Sequence, residues 1–77
     1  EGTSTYLGDT SGGNVVLSLL AEPSIGKTWI AKKVDAANTF QLRVLSGGTI
    51  DGSGTKNLTS LNESVTVQYD GSNYIII

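Results

Sequence analysis

The sequence predicts an all-β domain: a small antiparallel β-sandwich or β-prism-like fold of about six to seven short strands. Two observations carry this. Ten glycines and a single proline cut the 77 residues into short segments rich in Val, Ile, Thr, Leu and Tyr, side chains that suit a pleated surface. No segment combines a 3.6-residue apolar period with helix caps.

Residues 1–13 are polar and glycine-bearing and are expected to form a linker or lead-in from an upstream domain, leaving 14–77 as the single folded domain. Residues 14–20 give the first clear strand, with Val15, Leu17 and Leu19 on one face and Val16, Ser18 and Leu20 on the other. Glu22-Pro23-Ser24-Ile25-Gly26 is a turn, since proline cannot donate to a ladder. Residues 27–34 are the second strand, with Trp29 and Ala31 on the face of Lys27 and Lys33. Asp35-Ala36-Ala37-Asn38 is expected as a four-residue hairpin connection to a strand at 39–45, where Phe40, Leu42 and Val44 alternate with Gln41 and Arg43. Thr49-Ile50-Asp51 is a very short strand stopped by Gly52-Ser53-Gly54, and a short segment centred on Leu58 follows. Residues 64–69 alternate strongly, and Asp70-Gly71 opens a hairpin turn to a last strand at 72–77.

That last strand breaks the alternation. Tyr74, Ile75, Ile76 and Ile77 are apolar on both faces, and such a strand needs cover on both. A chain of this size buries only about 60% of its unfolded surface. It has no cysteine for a disulfide. Burial of each Ile is worth about 1.5–3 kcal/mol. These four residues are therefore the expected subunit interface, with further copies of the chain as partner. The absence of methionine and the opening Glu1 point to a fragment or processed product.

Composition argues against several functions. Five basic residues, Lys27, Lys32, Lys33, Arg43 and Lys56, are too dispersed for a phosphate-binding stripe, and the net charge is −2, so no nucleic-acid partner is expected. No apolar run approaches the roughly 20 residues of a membrane-spanning helix, so no membrane insertion is expected. Without His or Cys the usual zinc ligands are missing, and no metal or other cofactor is expected. A nucleophilic Ser would need Lys as its base, and none stands at a recognisable spacing. No catalytic residue is therefore assigned.

Three motifs invite over-reading. Ala21-Glu22-Pro23-Ser24-Ile25-Gly26-Lys27-Thr28 matches a loose phosphate-binding loop, but that loop must open a helix and these residues run into a strand. Asp9, Asp35, Asp51 and Asp70 each border a turn, where aspartate bonds nearby backbone N–H groups. The glycosylation-type triplets Asn57-Leu58-Thr59 and Asn62-Glu63-Ser64 matter only in a secreted eukaryotic chain. Among the aromatics, Trp29 and Tyr74 are the candidates for stacking on a sugar ring, against ordinary packing in a core or interface.

Residues 27–76 resemble terminal domains of bacteriophage tail fibres, tailspikes and other virion appendages. The likeness is carried by the lysine-bearing strand ending at Asp35, by Thr49-Ile50-Asp51-Gly52, and by the hairpin Ser64-Val65-Thr66-Val67-Gln68-Tyr69-Asp70-Gly71-Ser72-Asn73-Tyr74. The resemblance implies a homotrimer and a structural role in a virion assembled in the bacterial cytoplasm, with a share in host-surface attachment. An alternative is a receptor-recognition tip that binds bacterial surface polysaccharide. A third is a piece of a polysaccharide-degrading tailspike whose active site lies in another domain.

Overall fold

The computed structural model describes residues 2–77. It is all-β, with two sheets packed face to face. The strands are β1 (Thr3–Gly8), β2 (Val15–Leu19), β3 (Thr28–Lys33), β4 (Phe40–Val44), β5 (Thr55–Leu58), β6 (Ser64–Tyr69) and β7 (Tyr74–Ile76), with one 3-10 turn at Leu45–Gly47. One sheet has the order β1-β3-β6-β7 and the other β2-β4-β5.

Both sheets are mixed, where a purely antiparallel sandwich was expected. β1 runs parallel to β3 and β2 parallel to β4, while β3–β6, β4–β5 and β6–β7 are antiparallel. The chain alternates between sheets through its first four strands, so it winds as a two-rung coil. Thr3 pairs with Thr28 and Val15 with Phe40, an offset of 25 residues in both sheets.

Two expectations are corrected by this winding. Residues 3–8, taken as part of a lead-in, form β1, a full edge strand against β3. Residues 35–38 do not close a hairpin, because β3 and β4 lie in different sheets; they form an arch. The arch is held from inside. Lys33 is completely buried, and its ammonium donates to the carbonyls of Asp35 and Ala37. Thr10 Oγ1 donates to the Ala37 carbonyl, and Asn38 Nδ2 returns a bond of 2.8 Å to the Thr10 carbonyl. A buried ammonium without such partners would be costly, so these carbonyls fix where the chain turns.

The core lies between the sheets. Leu19, Phe40, Leu42, Val44 and Leu58 from one sheet meet Ala31, Val65, Val67, Tyr69 and Tyr74 from the other, with Ile50 closing one side. Their strict alternation with exposed or half-buried neighbours follows the period of two in β4 and β6. Gly8 sits flush against the Phe40 ring, where an added Cβ would come within 2.4 Å of a ring carbon. The accessible surface is 4166 Å². A monomer of 8.0 kDa is expected to show about 4,450 Å². The single chain thus buries an ordinary share of itself, and any argument for assembly must rest on where its exposed apolar residues lie.

Thr49-Ile50-Asp51-Gly52 forms a tight turn instead of a strand of its own. Ile50 and Ser53 exchange backbone bonds of 2.7 and 2.9 Å, with φ of 51° at Asp51 and 84° at Gly52. Positive φ at both central residues is the mirror-image turn that suits Asp-Gly. The turn docks on β7: Tyr74 N–H donates to the Thr49 carbonyl, Asp51 N–H to the Tyr74 carbonyl, and Ile76 N–H to the Asp51 carboxylate at 3.0 Å.

Candidate functional site

The outer faces of the two sheets differ in chemistry. Register and alternation set out the outer face of β1-β3-β6-β7 as three rows. Thr3, Thr28, Gln68 and Ile75 form one; Thr5, Ile30, Thr66 and Ile77 form the next; Leu7, Lys32 and Ser64 form the third. Lys32 is the one charged residue in these rows. Leu7 is 60% exposed and Ile77 64%, with Ile75 also exposed and Ile30 half-buried. Gln68 Nε2 donates to Thr28 Oγ1 at 3.2 Å, so part of the polar capacity of this face is already satisfied within it. The outer face of β2-β4-β5 instead carries Ser18, Gln41, Arg43, Thr55 and Asn57 beside Val16, and Gln41 and Asn57 bond each other.

The tail residues divide. Ile75 and Ile77 stand on the outer face, and Ile76, opposite the core residue Val67, on the inner side of this edge strand, 37% exposed. Tyr74 does not belong with them. It is completely buried, packs on Tyr69 with ring centroids 5.4 Å apart, and donates its hydroxyl to the Leu20 carbonyl at 2.9 Å. Burial raises the pKa of that hydroxyl above the ordinary tyrosine value. Tyr74 is therefore a core residue, and its ring offers no face to a partner copy or to a sugar. Trp29, the other aromatic proposed for sugars, is half-buried and packs against the core. The Lys27 ammonium lies 4.6 Å from its ring centroid while donating to Ser4 Oγ at 2.6 Å. The cation occupies a position that a stacking sugar would need.

The carboxylates are committed to turns, as their neighbours suggested. Asp9 accepts from Ser11 N–H, Asp35 from Ala37 N–H, and Asp70 from Ser72 and Asn73 N–H. Glu63, which sequence reasoning passed over, accepts from Thr59 and Ser60 N–H at 2.7 and 3.0 Å. The signal for it was local: a Glu following Thr-Ser-Leu-Asn at a turn. Bonds from backbone amides hold the pKa of Asp9, Glu63 and Asp70 below the usual carboxylate value. No group of three acidic side chains that could hold a metal ion occurs among the described residues.

The segment resembling a phosphate loop leads from β2 into β3, with no helix after Lys27. An open groove of about 370 Å³ lies between Ala21 and Glu22, the Leu45–Gly47 turn, and the hairpin end at Tyr69 and Ser72. Glu22 is its one charged lining residue, and none of the expected site residues lines it. Comparisons with protein-family models, with curated proteins and with solved structures find no match for this chain.

Proposed function

We propose that the chain is a structural module that assembles with copies of itself, as a homotrimer, in a bacteriophage tail fibre or tailspike. The viral part of this reading rests on the resemblance of residues 27–76. The self-association rests on one observation: the outer face of β1-β3-β6-β7 carries a single charge and presents Leu7, Ile75 and Ile77 to solvent. A sheet with one solvated face ordinarily places polar residues there, as β2-β4-β5 does. Ile75 and Ile77 stand together at the β7 edge of this face and Leu7 at its β1 edge, and apolar side chains grouped in the open on a small domain mark a contact surface.

Ile75 and Ile77 sit on this face beside Gln68 and Thr66, so copies meeting through it would cover the tail without disturbing the core. Lys32 lies in the row of Leu7 and Ser64, nearer one end of the face, where its long stem lets the ammonium reach water. The reading assigns no chemistry to the chain; it holds strands of a fibre or spike in register.

Sedimentation equilibrium tests it. The wild-type chain is expected to run as a trimer at micromolar concentration. The Ile75→Glu/Ile77→Glu variant is expected to run as a monomer with an unchanged far-ultraviolet circular dichroism spectrum. A wild-type chain that stays monomeric, or a charged variant that stays trimeric, overturns the assignment.

A further inference from the structure

The two edges of the four-stranded sheet are finished differently. At the β7 end, the Asp51-Gly52 turn covers the sheet edge and pairs with Tyr74, and the Asp51 carboxylate takes the Ile76 N–H. At the β1 edge, and at the β2 edge of the other sheet, nothing among the described residues does this. The carbonyls of Gly2 and Gly8 accept from Thr28 and Val34, which turns the even-numbered backbone groups of β1 towards β3. The N–H and C=O groups of Thr3, Thr5 and Leu7 therefore point outward. Val15 N–H donates to the Thr39 carbonyl, so the outward groups of β2 are those of Val16 and Ser18.

Proteins normally blunt such edges with Lys, Pro, a bulge or a covering segment. β1 is Thr-Ser-Thr-Tyr-Leu-Gly and β2 is Val-Val-Leu-Ser-Leu, with neither a charge nor a proline. Three inward side chains of this rim are less covered than their equivalents one rung below, while Leu19 is fully buried beside Val44. Tyr6 is 41% exposed over Ala31, and Val15 and Leu17 are half-buried over Phe40 and Leu42, all three of which are completely buried.

We propose that this rim accepts a further parallel rung, which makes the chain the capped end of a longer two-layer β-coil. The occupant is a pair of extended, uncharged strands joined by an arch and running in the direction of β1 and β2. It places apolar side chains over Tyr6, Val15 and Leu17. The equal 25-residue offset in both sheets identifies it. The rim of rung one repeats, one strand spacing of about 4.8 Å further out, the rim of rung two that rung one itself covers. A coiled rung matches both edges at once. The inference is independent of self-association through the sheet face.

The test extends the full chain by one duplicate of residues 3–27 placed directly before Thr3, and follows amide hydrogen exchange by NMR. Exchange at Thr5, Leu7, Val16 and Ser18 is expected to slow by at least about tenfold relative to the native chain, with Val65 and Val67 unchanged. Adding Thr5→Pro and Val16→Pro to the original rim of the extended chain removes only outward N–H groups, and should return Leu7 and Ser18 to native rates. Unchanged exchange at the rim with β6 still protected overturns the proposal. So does concentration-dependent protection of the same amides in the native chain, because a second copy would then be the cover.

Discussion

Gly8→Ala is expected to destabilise the fold, although backbone entropy alone predicts the opposite. The φ of Gly8 lies outside the left-handed region, so alanine can adopt this backbone. At such a site Gly→Ala ordinarily stabilises by about 0.4–1 kcal/mol, by restricting the unfolded chain. Here the new methyl would lie 2.4, 2.6 and 2.7 Å from three carbons of the Phe40 ring, against an ordinary carbon–carbon approach of about 3.5–4 Å. Phe40 is completely buried and also stacks on Tyr6 at 5.7 Å, so the ring cannot swing into solvent. Overpacking of this kind costs about 1–3 kcal/mol. The net loss is then about 0–2.6 kcal/mol, centred on a little over 1 kcal/mol, within a total stability of about 4–12 kcal/mol for a domain of this length. For a domain this small each kcal/mol lowers Tm by about 4–8 °C. Urea unfolding of the wild type, Gly8→Ala, Phe40→Leu and the double variant separates the two terms. In the Phe40→Leu background the penalty should vanish and the sign should turn neutral or favourable. An equal penalty in both backgrounds would refute the contact as its cause.

Three further outcomes are expected. Lys33→Met keeps the volume but leaves the Asp35 carbonyl without its side-chain donor and removes one of the two bonds to the Ala37 carbonyl. The loss should be about 2–4 kcal/mol by urea midpoint, and a variant as stable as wild type would show that the arch does not depend on the ammonium. Gly52→Ala places a side chain at a φ of 84° and should cost about 1–2 kcal/mol, whereas Gly54→Ala, with open space at its Cβ, should be neutral; equal effects would remove the turn geometry as the reason. Asp9, Glu63 and Asp70 have folded-state pKa values below their unfolded ones, so their contribution is present at neutral pH and is lost as pH falls through the depressed values, below about pH 4. The urea midpoint should fall over that window, and Asp70→Asn should flatten the fall; a pH-independent midpoint would count against these bonds.

Much of the local structure was legible in the sequence, because its causes are local. Alternation marked β2, β3, β4 and β6 to within a residue or two, since a half-buried strand repeats every second residue. Turn chemistry placed the aspartates, because each bonds backbone amides two or three residues away, apart from Asp51, which reaches across to Ile76. The tail was legible in part. Ile75 and Ile77 lie exposed on the outer face of the single chain. Tyr74 is drawn inward by its register with Tyr69, which the run of apolar residues could not reveal.

What the tertiary structure alone decided was which strands meet and in which direction. A four-residue connection such as 35–38 serves a hairpin or an arch equally well; the choice turned on Lys33 and Thr10 reaching the Ala37 carbonyl, and Thr10 is 27 residues distant in the chain. β1 passed as a linker because only Gly8 of its six residues is buried, and its contact with Phe40 required a glycine instead of an apolar residue. Period and turn residues act over a few positions, so the sequence specified them directly. Parallel pairing at an offset of 25 residues is set by how two faces pack, and no short stretch of chain contains that information.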